Sequence, residues 1–193
     1  MKAVHRNADK VRITKEFVEC YSAEYDRKKR GSNDLPEEQR LKAWLAEQSG
    51  PKFLDWDHFV ALARWKSERP KQRYERNPDA FVREVTELAF QASDDRLRMH
   101  ILMALGGVGM PVASALLHFA FPDRYPILDF HVVSALAETG LWPGDEARAF
   151  TPPGWLEFNQ LMRGLAGSLG VHMRDLDKAL WAFDKWPAKP EER

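Results

Sequence analysis

The residues best suited to chemistry lie in one stretch, positions 102–132. Gly107 and Gly109 flank Val108 just before an apolar stretch with helical spacing, and Asp129 follows that stretch. Glycine allows positive φ and close backbone approach, and the N–H groups that begin the next helix attract an anion such as phosphate. A carboxylate can stabilise developing positive charge and orient or deprotonate water. The spacing predicts an anion-binding turn beside a reactive carboxylate.

A longer pattern surrounds the two glycines. Leu102 and Leu105 end one predicted helix, and apolar residues recur at helical spacing after Pro111. Val108 is expected to insert into the core between the two helices, and Ala113 is small enough to let them approach. This arrangement resembles the helix-hairpin-helix that grips a DNA phosphate.

The segment after the second helix strengthens this resemblance. It reads YPILDFHV from Tyr125 to Val132 and is similar to the segment that delivers the catalytic aspartate in helix-hairpin-helix DNA glycosylases. The close resemblance covers about residues 97–137. It implies a two-lobed, all-α, DNA-glycosylase-like fold with Asp129 at the cleft between the lobes.

The resemblance also implies a function in base-excision repair. Asp129 would assist hydrolysis of the N-glycosidic bond of a damaged or modified base, and the partner would be double-stranded DNA. The target base must leave the duplex stack before such chemistry. The hairpin residues expected to hold the DNA are Gly107, Val108, Gly109 and Met110. Asp129 also fits a plain helix N-cap, because aspartate is a favoured capping residue.

Two departures from the family shape the predicted mechanism. Family members with lyase activity carry a lysine two residues after the last hairpin glycine, whereas this chain has Pro111. We therefore expect a monofunctional, water-using glycosylase that forms no Schiff base. Pro111 also removes an N–H group that relatives offer to phosphate. The family often has an arginine where this chain has Ser134.

Cofactor expectations follow from the same comparison. Cys20 is the only cysteine, which excludes the four-cysteine iron–sulfur cluster of some relatives. No paired-histidine zinc spacing occurs, so we expect no zinc or catalytic transition metal. The resemblance allows a K⁺ or Na⁺ ion at backbone carbonyls, which here would be those of Met103, Leu105 and Val108.

A second candidate DNA contact is the basic stretch 64–76, in which Trp65 and Tyr74 are interleaved with arginine and lysine. Arg73 and Arg76 are its predicted DNA-binding residues, since basic and aromatic side chains together can follow a nucleic-acid backbone. A solvated helix end explains the same pattern. His131 is expected to be a structural hydrogen-bonding residue rather than a base.

Composition limits the class of protein. The chain has 193 residues, a formal net charge of zero, 44% hydrophobic and 30% charged residues, which suits one globular domain over 1–193. Nucleic-acid binding must therefore come from local patches rather than overall charge. We find neither an apolar signal region nor an apolar run of about 18 residues, so a cytoplasmic, membrane-free monomer is expected.

Hydrophobic periodicity predicts about nine helices and no strand. The helix-hairpin-helix is expected at about 95–121, the catalytic-type loop and helix at 122–139, and a frayed tail at 186–193. Asp34 is predicted to cap the second helix, and 141–153 to be a connection rich in proline and glycine.

Two other functions remain open at this point. One is a non-catalytic DNA-binding module of the same fold, and the other is a helical protein-interaction domain whose hairpin is only a turn.

Overall fold

A computed structural model describes residues 11–186, and every regular element in that range is helical. The all-α prediction is confirmed. The helices are α1 Lys15–Lys29, α2 Asp34–Ala46, α3 Trp56–Lys66, α4 Lys71–Tyr74, α5 Asp79–Gln91, α6 Asp95–Leu102, α7 Met110–Ala120, α8 Phe130–Glu138, α9 Pro152–Leu169 and α10 Met173–Lys185, with a short 3₁₀ helix, Glu146–Phe150, before α9.

Local capping explains where several helices begin. The side chains of Thr14, Asp55, Asp94 and Thr151 each accept a hydrogen bond from a backbone N–H in the first turn of the following helix. Such bonds satisfy N–H groups that have no partner within the helix. At the other end of α9, Gly170 takes a left-handed conformation with φ 63°, which glycine adopts without strain.

One continuous hydrophobic core joins the first helix to the last. α1 packs along α10, and α10 also contacts α8, which carries Asp129 at its start. Phe17 of α1 meets Phe183 of α10 edge to face, with 5.3 Å between ring centroids. The C-terminal helix therefore forms part of the scaffold that positions Asp129.

The apolar residues of α5 and α6 do not all face the core. Val82, Val85 and Ala89 are buried, whereas Phe81 and Leu88 of α5 and Leu97 of α6 are exposed. Phe81 and Leu88 are both exposed because residues seven positions apart lie on the same face of a helix, and that face of α5 is turned to solvent.

Other boundaries also differ from the sequence prediction. Asp34 lies inside α2 rather than capping it; its carboxylate pairs with Lys29 at 2.6 Å, and Asn33 occupies the cap position. The predicted connection 141–153 contains the 3₁₀ helix, and α9 begins at Pro152, where proline is well tolerated. Only Trp186 of the predicted tail lies within the described residues.

No helix of the described part of the chain is long and apolar enough to cross a membrane.

Candidate functional site

The hairpin glycines have different conformations. Gly107 has φ 87°, in the region that disfavours side chains with a Cβ, as predicted. Gly109 has φ −100° and ψ 177°, an extended conformation open to any residue, so the expectation of positive φ there is wrong. Gly109 caps α7, and a cap residue is normally extended. Val108 is buried, as predicted.

The hairpin is fixed from the side by Asn77. The backbone N–H of Gly106 donates to Asn77 Oδ1 at 2.7 Å, and Asn77 Nδ2 donates to the Gly106 carbonyl at 3.1 Å. The same amide nitrogen also donates to the carbonyls of Arg73 and Tyr74 at 3.0 and 2.8 Å. These bonds hold the α4 segment against the hairpin.

The first turn of α7 supplies N–H groups without intrahelical partners. Gly109 makes no side-chain cap, and Pro111 contributes no donor, so the candidates are the N–H groups of Gly109, Met110 and Val112. Met110 and Val112 are buried as whole residues, whereas Gly109 is half-buried, so Gly109 is the most exposed of the three donor residues. The α7 dipole adds to the attraction for an anion.

The carbonyls suggested for a monovalent cation belong to the same turn. The Leu105 carbonyl accepts the Val108 N–H at 3.1 Å and keeps a second lone pair. Carbonyl oxygens are suitable ligands for K⁺. The monovalent-cation site at the carbonyls of Met103, Leu105 and Val108 stays a prediction.

Asp129 is both a cap and an ion-pair partner. It is the N-cap of α8, and its Oδ1 accepts the His131 backbone N–H at 3.0 Å. Its Oδ2 accepts from Lys66 Nζ at 2.5 Å. Side-chain exposure is 9% for Lys66 and 24% for Asp129, so the pair is largely withdrawn from water.

This ion pair lies in the wall of a cavity of about 180 Å³. Trp65 and Trp181 contribute aromatic surface to the cavity. The complete lining is Tyr25, Lys29, Asp34, Trp65, Lys66, Ile127, Asp129, Arg174, Asp177 and Trp181. A wider groove of about 480 Å³ shares Asp34, Trp65 and Lys66 with it and opens to the surface.

A buried charge network adjoins the cavity through Arg174 and Asp177. Arg174 donates to both carboxylate oxygens of Glu38, at 2.9 and 2.7 Å, and also to Asp177. Burial opposes the charged form of Glu38, but hydrogen bonds from Arg174 and Lys42 outweigh it and lower its pKa. This network joins α2 to α10 across the core.

Asp177 is the less satisfied member of that network. Burial raises the pKa of Asp177 to about 6, against the opposing effect of Arg174. Within residues 11–186, its Oδ1 has no hydrogen-bond partner. The cavity therefore contains a carboxyl group whose proton is held more tightly than that of an ordinary aspartate.

The predicted basic stretch divides between these two parts of the structure. Its first lysine, Lys66, is the last residue of α3 and pairs with Asp129. Arg73 is exposed and lies next to the hairpin. Arg76 is also exposed, and among the described residues neither arginine forms a salt bridge. Arg73 and Arg76 are thus free to contact phosphate near the hairpin.

His131 forms a side-chain contact away from the cavity. Its Nδ1 lies 2.5 Å from Asp184 Oδ2, and its ring meets Trp181 edge to face. The expected hydrogen-bonding role is therefore present, and the contact ties α8 to α10.

Sequence reasoning missed Lys66, Asp177 and Arg174 as members of the site. In the sequence, Lys66 is only one of several basic residues in the stretch 64–76. No adjacent residue indicates that its partner lies 63 positions later in the chain. Among the described residues, no group of three or more histidine, cysteine or acidic side chains is placed to hold a metal ion.

No protein-family model matches this chain, and neither a curated protein nor a solved structure matches it.

Proposed function

We propose that this protein is a monofunctional DNA glycosylase that hydrolyses the N-glycosidic bond of a damaged or modified base in double-stranded DNA. The observation that carries the proposal is the position of Asp129, a recessed carboxylate in the wall of a cavity with tryptophan side chains. It lies one helix and a loop after the hairpin whose N–H groups suit a phosphate.

The proposed chemistry needs a carboxylate and a water molecule. As the base departs, positive charge develops on the sugar, and Asp129 stabilises that charge and orients the attacking water. Lys66 fixes the orientation of Asp129 through the ion pair at Oδ2. The hairpin and Arg73 hold the DNA backbone, and Trp65 and Trp181 stack on the extruded base.

The cavity must widen for this reaction. Its volume of about 180 Å³ is below the roughly 300–1,000 Å³ of ordinary ligand pockets. The adjoining groove, which shares Trp65 and Lys66, provides the direction from which an extruded nucleotide enters.

The substitution Asp129→Asn tests the catalytic assignment. Base release from a panel of duplexes with modified bases should fall at least ~100-fold relative to wild type, the scale for losing a positioned charged group. DNA affinity should persist. Because Lys66 loses its counter-ion, the free energy of unfolding should fall by about 1–3 kcal/mol, less than for a fully buried pair.

Asp184→Asn is the matched control. Asp184 is an acid on α10 that pairs with His131 and does not line the cavity, so its variant should retain base release. Excision at the wild-type rate by folded Asp129→Asn would refute the catalytic role.

A non-catalytic DNA-binding module is the second candidate, and one observation favours it. Both oxygens of Asp129 already have partners, His131 N–H and Lys66 Nζ, as expected of a purely structural cap. Salt-dependent duplex binding without release of any base by wild-type protein would support this function. Absence of DNA binding would instead support a helical protein-interaction domain.

A further inference from the structure

Exposed apolar side chains of the described residues concentrate on the outer face of α5 and α6. Six large apolar side chains in that range are exposed, and four of them are Phe81 and Leu88 of α5, Leu97 of α6 and Met103 at its C-terminal end. Other apolar residues of both helices are buried, so these four are not part of the core. Apolar side chains gathered in one place on a protein surface indicate a contact site.

Two contacts fix how α5 and α6 lie against each other. At one end, Asn77, just before α5, bonds the backbone of Gly106, just after α6. At the other end, Arg98 of α6 donates to the carbonyls of Ala89 and Phe90 of α5, at 3.4 and 2.6 Å. The helices are therefore antiparallel, and the start of each one is level with the end of the other.

This register brings the exposed apolar side chains together. Phe81 and Leu88 lie on the flank of α5 nearer α6, because the other flank, at Arg83, contacts the segment before α3. Leu97 and the half-buried Ile101, four positions apart, form the matching row on α6. Leu88 and Leu97 are level with each other near the turn that joins the helices. The α5–α6 patch consists of Phe81, Leu88, Leu97 and Ile101.

Charged residues of opposite sign border the two edges of the α5–α6 patch. Around α5, away from α6, the helical period brings first Glu84 and then Glu87 to the surface. Around α6, away from α5, it brings first His100 and then Arg96. In the antiparallel register Glu87 is level with Arg96, and Glu84 is level with His100. The patch thus has an acidic edge and a basic edge with matching spacing.

The charges on both edges are available to a partner. Among the described residues, neither Glu84 nor Glu87 forms a salt bridge, and Glu87 accepts a hydrogen bond from Gln91 at 3.2 Å. Arg96 pairs with its neighbour Asp94 at 3.4 Å, with 64% and 50% of the two side chains exposed. An exposed pair of this kind contributes little to stability, so Arg96 can exchange it for another carboxylate.

We propose that this protein forms a homodimer through the α5–α6 patch, with a two-fold axis parallel to α5 and α6. Such an axis places α5 of one protomer on α6 of its partner, and the acidic edge of each protomer faces the basic edge of the other. Leu88 then packs on the partner's Leu97, and Glu87 faces the partner's Arg96. The apolar rows of both protomers are withdrawn from water together.

The order of charges selects this axis and a second copy as the occupant. An axis perpendicular to the helices would place Glu84 and Glu87 beside the same residues of the partner, where like charges repel. The parallel axis instead pairs opposite charges twice, as self-complementary surfaces of symmetric dimers do. The dimer departs from the monomer expected from the sequence, and it does not rest on the proposed function.

Sedimentation equilibrium of the full chain tests the dimer, under reducing conditions that exclude a disulfide at the exposed Cys20. With rising concentration, wild-type protein should approach twice the mass of one chain. Leu97→Glu should weaken self-association about 100-fold or more, because symmetry places the unpaired charge in the apolar contact twice. Leu141→Glu is the matched control, since Leu141 is an exposed leucine outside the patch, and it should dimerise as wild type does. Circular dichroism shows that both variants are folded.

Charge exchange tests the pairing across the interface. Glu87→Arg and Arg96→Glu should each weaken self-association roughly tenfold, because each change acts twice in a symmetric dimer. The double variant restores both pairs with reversed sign and should dimerise nearly as well as wild type. A double variant weaker than either single variant would overturn the proposed pairing.

Disulfide cross-linking tests the axis. In a Cys20→Ser background, which removes the only native cysteine, a mixture of Leu88→Cys and Leu97→Cys should cross-link faster than either variant alone. Faster linking of Leu88→Cys to itself would overturn the proposed arrangement. Wild-type protein that stays monomeric at every concentration, or Leu97→Glu that dimerises as wild type does, would overturn the dimer and assign the patch to a different protein.

Discussion

Replacing Gly107 with alanine tests how the hairpin is built. A Cβ at this position would lie 2.9 Å from the Cβ of Arg73 and from two ring atoms of Tyr74, whose side chain is fully buried. The positive φ costs a residue with a Cβ roughly 1–2 kcal/mol. Displacing a packed ring costs a further 1–3 kcal/mol or so. We therefore expect Gly107→Ala to lower the free energy of unfolding by about 2–5 kcal/mol.

Gly109→Ala is the matched variant two residues away. Its φ is −100°, and the nearest atom to an added Cβ is Pro111 Cδ at 3.9 Å. Stability should change by less than about 1 kcal/mol, because the stiffer unfolded chain offsets part of what alanine loses as a poorer N-cap than glycine. The added methyl group lies at the start of α7, where a phosphate would approach, so duplex affinity should decrease.

Urea unfolding and duplex affinity at two salt concentrations separate these effects. The argument from positive φ and crowding at Gly107 would be refuted if Gly107→Ala were as stable as wild type. It would also be refuted if Gly109→Ala were destabilised as much as Gly107→Ala. Unchanged affinity and salt slope in folded Gly109→Ala would remove the hairpin from the DNA-binding surface.

Two further predictions concern lysine chemistry and pH. Pro111 has no amine and Lys66 is held in an ion pair, so borohydride reduction in the presence of an abasic duplex should trap no covalent adduct. An adduct that forms with wild type and is lost in Lys66→Arg would identify Lys66 as a nucleophile and would refute the monofunctional assignment. Burial, aided by the charges of Arg174 and Lys42, lowers the pKa of His118 to about 3. The unfolded chain therefore takes up this proton first, so the His118 contribution to stability is complete above pH ~6.5 and decreases toward pH ~3. Between pH ~6.5 and ~5, wild type should lose about 2 kcal/mol more unfolding free energy than His118→Asn, and equal losses in chemical denaturation would contradict this assignment.

Features that depend on neighbours within a turn or two were predictable from the sequence. The helical periodicity, the Asp129 cap, the turn at Gly107 and the burial of Val108 follow from rules that act over a few residues. The exposed face of α5 was harder to predict. The sequence shows that Phe81 and Val82 are both apolar, but not which of the two side chains faces the core.

The surroundings of Asp129 were decided by the tertiary structure. Its partner Lys66 lies 63 residues earlier, and Arg174 bonds Glu38 across 136 positions. An isolated basic residue carries no local signal of such a partner, because the pairing depends on which helix ends the core brings together. The sequence by itself thus determined the hairpin, the helices and the position of the candidate carboxylate. Only the packing of α3 against α7 and of α10 against α8 decided that this carboxylate meets an ammonium group at a cavity lined in part by tryptophan.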